Sequence, residues 1–491
     1  MNATQSSAGV DPRRWLAFAV LLLAGFMDLL DGTIVFVALP TIAEDLGASF
    51  ASLEWVVAGY TLAFALTLIT GGRLGDIYGR KRVFLAGVTG FTVASLAAGL
   101  APTAEALIAS RAIQGLFAGV MVPQVLSIAQ VIFPPKERFA AFAMYGIVLS
   151  LAAVIGPLLG GFLTELDIAG LGWRPIFLIN LPVGVVTLIA ASRLITESRS
   201  GHALRLDLVG VGLVTTALLL VLYPLVEGQS LGWPAWTFGA MALSIPVFGV
   251  FALWERRKAR LDGSPLTEPA LFRQRSFVAG LMMSLVLFSG LGSFWFVLVL
   301  WLQVGLGFSP LTTALAGMAW PLAVMASGAA GAKLAGSVGR KLLNVGLSLM
   351  ALGVAGVIAT VGVVGQAIEP WQLAPALALA GVGMGLTMPS LFDFILADVP
   401  PRHAGSASGV VNTVVQIGGA IGIAIVGVIF FGLVDASAAP PAETFTAAIG
   451  QTLWFQVAAF GAAALLAFLL PARAPAQEAE GAWDGEAAAA A

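Results

Sequence analysis

Long apolar segments alternate with short polar ones along the whole chain. A bilayer with a hydrocarbon core of about 30 Å is crossed by a helix of roughly 20 apolar residues. The alternation therefore predicts an all-α integral membrane protein with fourteen transmembrane helices. Their predicted positions are residues 15–39, 52–72, 83–101, 105–125, 139–163, 174–194, 207–226, 236–254, 277–304, 311–336, 342–364, 372–396, 406–432 and 447–470.

The basic residues between the apolar segments predict how the helices are oriented. The loops after even-numbered helices contain most of the Lys and Arg, whereas those after odd-numbered helices, such as TIAEDLGASFASLE at 41–54, are acidic. Of the 24 basic residues, only Arg111 and Arg174 depart from this pattern. Because basic loops remain in the cytoplasm, both termini are predicted to be cytoplasmic. The excess of Arg over Lys suggests a GC-rich genome and hence a bacterial cell membrane.

An internal repeat divides the chain into two halves. The segment GGRLGDIYGRK at 71–81 recurs weakly as GAKLAGSVGRK at 331–341, and each copy joins the second and third helices of a six-helix group. Parallel repeats of this kind are typical of transporters whose substrate site lies between the halves. The predicted domains are a cytoplasmic tail at 1–14, a six-helix bundle at 15–194, a linker with two extra helices at 195–260, a second six-helix bundle at 261–470 and a disordered tail at 471–491.

The composition narrows the chemistry that the chain can perform. Hydrophobic residues make up 59% of it and charged residues 10%, with a mean hydropathy of +0.97. There is no cysteine, and the two histidines, His202 and His403, fall in polar linkers. Disulfides, cysteine nucleophiles and thiolate or histidine-rich metal sites are therefore excluded. The net charge of −2 gives no indication of nucleic-acid binding. We expect a protein that contacts membrane lipid and small molecules and is not an enzyme.

Five motifs, in the expected order, resemble those of one family. GGRLGDIYGRKR (71–82) resembles the loop signature of the major facilitator superfamily. LDGTIVFVALP (30–40), RAIQG (111–115), AAVIGPLLGG (152–161) and WRPIFLINLPVG (173–184) are similar to signatures of its fourteen-helix drug:proton antiporter branch. The resemblance implies two pseudo-symmetric six-helix bundles plus two extra central helices. It also implies multidrug efflux driven by a proton gradient, with no cofactor.

Three positions depart from the pattern of the family. Phe36 replaces the usual Asn of the first motif, and Ala152 replaces the Gly that begins the fifth-helix motif. Gly336 in the second loop copy occupies the position of Asp76 in the first copy. One expected polar contact is therefore missing, and only the N-terminal loop copy is intact.

Polar residues in the first and fourth helices form the predicted coupling and substrate site: Asp28, Asp31, Arg111 and Gln114. Asp31 and Arg111 have matching predicted depths, and because an unpaired charge there would cost about 2.5–3.5 kcal/mol, we expect an ion pair. Asp28 and Asp31 share one helix face, which is predicted to line the cavity together with Gln114. We expect Asp28 to carry a proton or to meet a cationic substrate. The alternatives are a permanent structural ion pair and a protonated spectator Asp28.

Two further motifs are predicted to control gating. The gating loop consists of Gly71, Arg73, Gly75, Asp76, Gly79, Arg80 and Lys81. Gly75 and Gly79 are expected to permit a tight turn, and the charges to latch the halves together in the outward-open state; anchoring at anionic lipid is the alternative. The antiporter motif consists of Gly156, Pro157, Gly160 and Gly161. By resemblance this motif seals the interface between the halves, and routine helix packing is the alternative.

The leading hypothesis is a monomeric, proton-driven exporter of hydrophobic, cationic small molecules. Export of one self-made metabolite, antibiotic or lipid-like molecule by the same mechanism is the alternative, and uptake by symport is disfavoured by the antiporter motif. ATP is not expected to drive transport directly, because the sequence contains no G-x-x-x-x-G-K-[ST] segment. A membrane-embedded enzyme would need Cys, His or a metal cluster in the helices, and a channel would need a repeated pore element.

Overall fold

The computed structural model describes residues 13–200, 205–228, 230–396, 399, 404–435, 437 and 441–472. Within these ranges it is all helical, and it confirms the fourteen predicted transmembrane segments. Numbered α1 to α14, they are Arg14–Leu46, Phe50–Tyr78, Arg80–Gly99, Ala104–Ile132, Ala140–Leu166, Pro175–Leu194, Leu208–Glu227, Ala235–Leu261, Arg275–Gly305, Pro310–Ala335, Arg340–Ala367, Pro370–Ile395, Ala407–Asp435 and Pro441–Leu469. His202, His403 and the predicted disordered tail from 473 onward lie outside the described residues.

The two six-helix groups use the same helix pairs. In the first, α2 and α3 pack on α4, α5 packs on α1, and α6 packs on α1 and α3. In the second, α10 and α11 pack on α12, α13 packs on α9, and α14 packs on α9 and α11. The extra helices α7 and α8 pack against each other, and α7 also contacts α2 and α13. The predicted fold class, two pseudo-symmetric bundles with two extra helices, is therefore confirmed.

The repeated loops close in the same way in both halves. Gly79 and Gly339 each adopt a positive φ, +106° and +61°. The next residue in each copy then donates its backbone N–H to the segment that follows the last helix of its own half. Arg80 N donates to Ser198 O at 2.9 Å, and Arg340 N donates to Ala472 O at 3.1 Å. The weak sequence repeat thus corresponds to a repeated backbone structure.

We call the end of the molecule with the loops after odd-numbered helices the far side, and the two halves contact each other there. They also contact each other further along α2 and α13, where Thr413 Oγ1 donates to Ala65 O at 3.2 Å. The opposite end, with the termini, is the terminus side. At the far side Gln303 Nε2 of α9 donates to Val37 O of α1 at 2.8 Å. Glu165 Oε2 of α5 accepts from Leu311 N of α10 at 3.3 Å. A third contact joins α2 to α13, where the rings of Phe50 and Phe431 stack with their centroids 4.1 Å apart. The structure is therefore closed between the halves at its far side.

Gly161 provides a test of this closure. A Cβ at Gly161 would lie 2.7 Å from both Leu311 Cα and Pro310 O of α10, and backbone atoms cannot yield as a flexible side chain does. We expect Gly161→Leu to force the halves apart at the far side, because overpacking of this kind costs about 1–3 kcal/mol. Spin labels at Glu44→Cys and Gly432→Cys, one in each half, should then report a longer distance by double electron–electron resonance.

The matched control is Gly146→Leu in the same helix. A Cβ at Gly146 meets nothing within 4 Å, so this variant should keep the short distance. The chain has no native cysteine to be removed first. An unchanged distance in Gly161→Leu would contradict the assignment of this contact as part of the closed interface.

Candidate functional site

An ion pair lies inside the N-terminal bundle. Arg111 Nη1 of α4 pairs with Asp31 Oδ2 of α1, and the two side chains are 1% and 0% exposed. The matching depth of the two residues, predicted from the sequence, is therefore confirmed as a direct contact. Two charges can be buried together only if their mutual attraction and further hydrogen bonds offset the desolvation of both.

Amide and hydroxyl groups supply these further hydrogen bonds. Gln114 Nε2 donates to Asp31 Oδ1 at 2.9 Å, and Asn180 Nδ2 donates to the same oxygen at 2.7 Å. Gln114 Oε1 accepts from Arg111 Nη1 at 2.6 Å, and Ser95 Oγ accepts from Gln114 Nε2 at 2.6 Å. The network joins α1, α3, α4 and α6, and every member is buried. Asn180 and Ser95 were not predicted, although Asn180 belongs to the WRPIFLINLPVG motif.

Tyr60 of α2 links the ion pair to the second carboxylate. The Arg111 guanidinium lies over the Tyr60 ring at 4.1 Å from its centroid, and such cation–π contacts stabilise a desolvated cation. The Tyr60 hydroxyl donates to Asp28 Oδ1 at 2.7 Å. A Cβ at Gly115 would lie 3.1 Å from Tyr60 Cα, so the glycine of the RAIQG motif lets α2 approach α4 at this point.

Asp28 and Asp31 occupy different environments. Asp28 is partly exposed and, among the described residues, has no basic partner. Asp31 is completely buried among helices, as is Gln114. The prediction that one continuous face of α1, with Gln114, lines the cavity is therefore wrong for Asp31 and Gln114. The three-residue spacing turns Asp31 towards α3, α4 and α6, whereas Asp28 stays partly exposed.

The glycines of the gating loop have two different functions. Gly79 makes the turn between α2 and α3, at a φ of +106° that strongly favours glycine. Gly75, which was predicted to lie in this turn, is instead inside α2, where a Cβ would meet the side chain of Gln124. Gln124 Nε2 donates to the carbonyl of Gly71 at 2.8 Å. Gly71 and Gly75 therefore hold α2 against α4.

The charges of the gating loop bind mainly to backbone groups. The Arg73 guanidinium donates to the carbonyls of Arg205 at 3.0 Å and Ser264 at 3.2 Å, and also to that of Pro265. Asp76 pairs with Arg80 at 2.9 Å, within the loop. In the described part of the chain, the contact of the loop with the predicted C-terminal domain is thus made by Arg73, at the segment before α9. The predicted function as a latch remains a prediction.

The loop is also attached to the linker after α6. Lys81 Nζ donates to Ser192 O at 2.7 Å. Glu197 caps the N-terminus of α3, because its carboxylate accepts from the backbone N–H groups of Lys81 at 3.1 Å and Arg82 at 3.2 Å. A carboxylate at this position also complements the helix dipole.

The antiporter motif packs on both halves. Cβ atoms at Gly156 and Gly160 would lie 3.3 Å from Leu30 O and 2.8 Å from Ile34 O, so this face of α5 packs against α1. Gly161 faces α10 instead, and Pro157 lies inside the helix between them. The motif therefore contributes one glycine to the interface between the halves and uses the others for packing within the first half.

Two charged residues singled out by the sequence, Arg174 and Asp393, lie outside the network. Arg174, which departs from the charge pattern, pairs with Asp45 at 2.7 Å near the far end of α1. Its guanidinium also lies over the Trp173 ring at 4.7 Å. Asp393, near the terminus-side end of α12, is exposed.

Fourteen apolar helices, a twofold internal repeat and a buried charge network beside an accessible carboxylate together define a multi-pass membrane transporter. The family model described as "Major Facilitator Superfamily" matches residues 21–423. The chain belongs to this superfamily, and it is a transporter rather than an enzyme.

Several known proteins are similar to this chain over most of its length. The probable actinorhodin transporter of Streptomyces coelicolor is 44% identical over 436 residues, which are 88% of this chain and 75% of that protein. The puromycin resistance protein pur8 of Streptomyces alboniger is 34% identical, with 94% and 92% covered. The multidrug efflux pump LfrA of Mycolicibacterium smegmatis is 31% identical, with 88% and 83% covered.

Solved structures show the same fold. A bacterial homologue of the human lysosomal transporter Spinster, in an inward-facing and occupied conformation, matches with a TM-score of 0.66 and 16% identity. The match covers 94% of this chain and 97% of that one. The predicted recognition of the superfamily, and of its drug-efflux relatives, is confirmed.

Removal of the Asp31 charge tests the network. In Asp31→Asn the Arg111 cation would remain buried without its counter-charge, and breaking a buried pair in this way costs about 3–5 kcal/mol. We expect a clearly lower melting temperature in detergent and loss of efflux. Asp45→Asn is the matched control, because it removes a carboxylate of the same helix from its partially exposed pair with Arg174. Such pairs contribute about 0–1 kcal/mol. Efflux at the wild-type rate in Asp31→Asn would assign the pair a purely structural function.

Proposed function

We propose that this protein is a proton-coupled antiporter that exports hydrophobic, cationic small molecules across the bacterial cytoplasmic membrane. The proposal is carried by one observation: Tyr60 connects the partly exposed Asp28 to the buried Asp31–Arg111 pair. Its hydroxyl donates to Asp28, and its ring lies against the Arg111 guanidinium. Antiport needs a site that accepts either a proton or a substrate cation. The names of the drug-resistance relatives support export as the direction of transport.

The two carboxylates have different functions in this proposal. Asp31 keeps Arg111 neutralised and holds four helices in one arrangement. Asp28 binds a proton from the extracellular side or a cationic substrate from the cytoplasmic side, and Tyr60 transmits the change to Arg111. The proton gradient supplies the energy, and no cofactor takes part. The transporter is proposed to act as a monomer surrounded by membrane lipid.

The terminus side faces the cytoplasm in this proposal. The basic loops support this orientation, since the loops that follow even-numbered helices contain most of the Lys and Arg. The far side, where the halves contact each other, is then the closed extracellular gate.

A second candidate is the dedicated export of one self-made metabolite or antibiotic. The observation in its favour is that the relative with 44% identity is a probable transporter of a single antibiotic. The same residues would couple the proton gradient to transport, and only the range of substrates differs. Tolerance of one compound class, instead of several, would identify this candidate.

Efflux should be measured in a bacterium without its own major pumps. Cells with the wild-type protein should accumulate less ethidium and tolerate quaternary ammonium compounds better than cells with the empty vector. An uncoupler should abolish the difference, because the gradient is the energy source. Efflux that persists without the gradient would contradict proton coupling, and no resistance to any compound would favour the single-metabolite candidate.

Replacement of Asp28 tests its assigned function. Asn keeps the size of the side chain and its hydrogen bond with Tyr60, but it cannot take up a proton or neutralise a cation. We expect Asp28→Asn to reduce ethidium efflux at least tenfold while the melting temperature changes little. Asp393→Asn, an exposed Asp near the end of α12, is the control that should keep wild-type efflux. Full efflux of cationic compounds by Asp28→Asn would make Asp28 a spectator.

A further inference from the structure

Glu54 is a buried acid at the position where the predicted acidic segment 41–54 overlaps the predicted second helix, 52–72. It lies in the second turn of α2, at the far side, and is 3% exposed. The second helix was predicted to begin at residue 52, and in the structure it begins at Phe50. The helix therefore carries Glu54 into the protein interior, where charged side chains are rare unless they are paired.

Glu54 lies in the contact between the two halves, which we call the far-side seam: Phe50 and Glu54 of α2 with Gly427 and Phe431 of α13. The rings of Phe50 and Phe431 stack at 4.1 Å. A Cβ at Gly427 would overlap the Glu54 carboxyl group. The glycine therefore leaves a notch in α13 that the carboxyl group of the opposite half fills.

The carboxyl group has no compensating charge in the seam. Its Oε2 atom is buried and has no hydrogen-bond partner within the described ranges. The sequence of α13 contains no titratable residue between 404 and 434. On α7 the facing charged residue is Glu227, another acid, which is held by Trp55 Nε1 at 2.9 Å.

The charges buried inside the neighbouring α1 and α4 are engaged elsewhere. Asp31 and Arg111 pair with each other, and Asp28 accepts from Tyr60. An ionised carboxylate beside a second acid, without a donor or a cation, would be very costly at this site. The protonated acid is neutral, and it is therefore the form of Glu54 that fits the closed seam.

We propose that Glu54 is a second proton-binding site of the transporter, and that the far-side seam closes only when Glu54 is protonated. When the seam opens, water from the far side reaches Glu54, and the carboxylate can form by releasing its proton to that water. Rebinding of a proton from the same side removes the charge and permits α2 and α13 to pack again. Glu54 thus gates the seam without carrying the proton across the membrane.

This proposal rests on the proposed function only for the statement that the far side is extracellular. It differs from the functions of Asp28 and Asp31, which act within the N-terminal bundle. An acidic exterior would then favour the closed seam and the return of the empty carrier to the state that accepts cytoplasmic substrate.

The distance across the seam tests the proposal without any substrate or gradient. The protein with spin labels at Glu44→Cys and Gly432→Cys is reconstituted in lipid nanodiscs and measured by double electron–electron resonance from about pH 5 to about pH 9. We expect the short distance at low pH and a growing population with a longer distance as the pH rises. In Glu54→Gln, which imitates the neutral acid, the short distance should persist at every pH.

Two further variants keep the test decisive. Glu105→Gln removes an exposed acid from the first turn of α4 at the same side, and it should retain the wild-type pH response. Glu54→Asp keeps a titratable group and should retain a pH response with a shifted midpoint. The same pH response in Glu54→Gln and the wild type, or none in the wild type, would overturn the proposal. Intact pH-dependent closure in a protein that exports nothing would refute the proposed function alone.

Discussion

The N-terminal half depends on one constraint, which is that the Arg111 cation must be neutralised inside an apolar bundle. Asp31 supplies the opposite charge, and Gln114, Asn180 and the carbonyl of Val56 supply the hydrogen bonds. Together with Arg111, these groups come from four helices, α1, α2, α4 and α6. A rotation of any one of them would leave a buried polar group without its partner, which is costly in a low-dielectric interior. The network therefore favours movement of the bundle as a single body.

The fold was predictable because its signal is one-dimensional. The number and order of the helices follow from hydropathy alone, since each span must match the thickness of the bilayer. The ends of the helices could not be predicted from hydropathy. The helices α1 and α2 continue to Leu46 and Tyr78, beyond the apolar segments predicted to end at residues 39 and 72. Sequence hydropathy cannot distinguish a polar residue in a loop from one in a helix that extends past the membrane. For this reason Glu54 was counted both in an acidic loop and in the second helix.

The candidate site was predictable only in part. Depth along a helix can be counted, and this placed Asp31 opposite Arg111. The direction in which a side chain points around the helix axis depends on how the helices pack, which the sequence does not state. The burial of Gln114, the participation of Ser95 and the link through Tyr60 all depend on that direction. The same limit explains why Gly75 was assigned to a turn although it packs against Gln124.

The two halves share their backbone repeat but not their chemistry. From Phe277 to Leu470 the charged residues stand at or near helix ends, and the middle of every described helix in this half is uncharged. In the proposed mechanism, the carboxylates that bind protons therefore all lie in the N-terminal half, in α1 and α2. A substitution in the middle of a described C-terminal helix would then change the shape of the apolar surface without changing any group that is proposed to bind a proton.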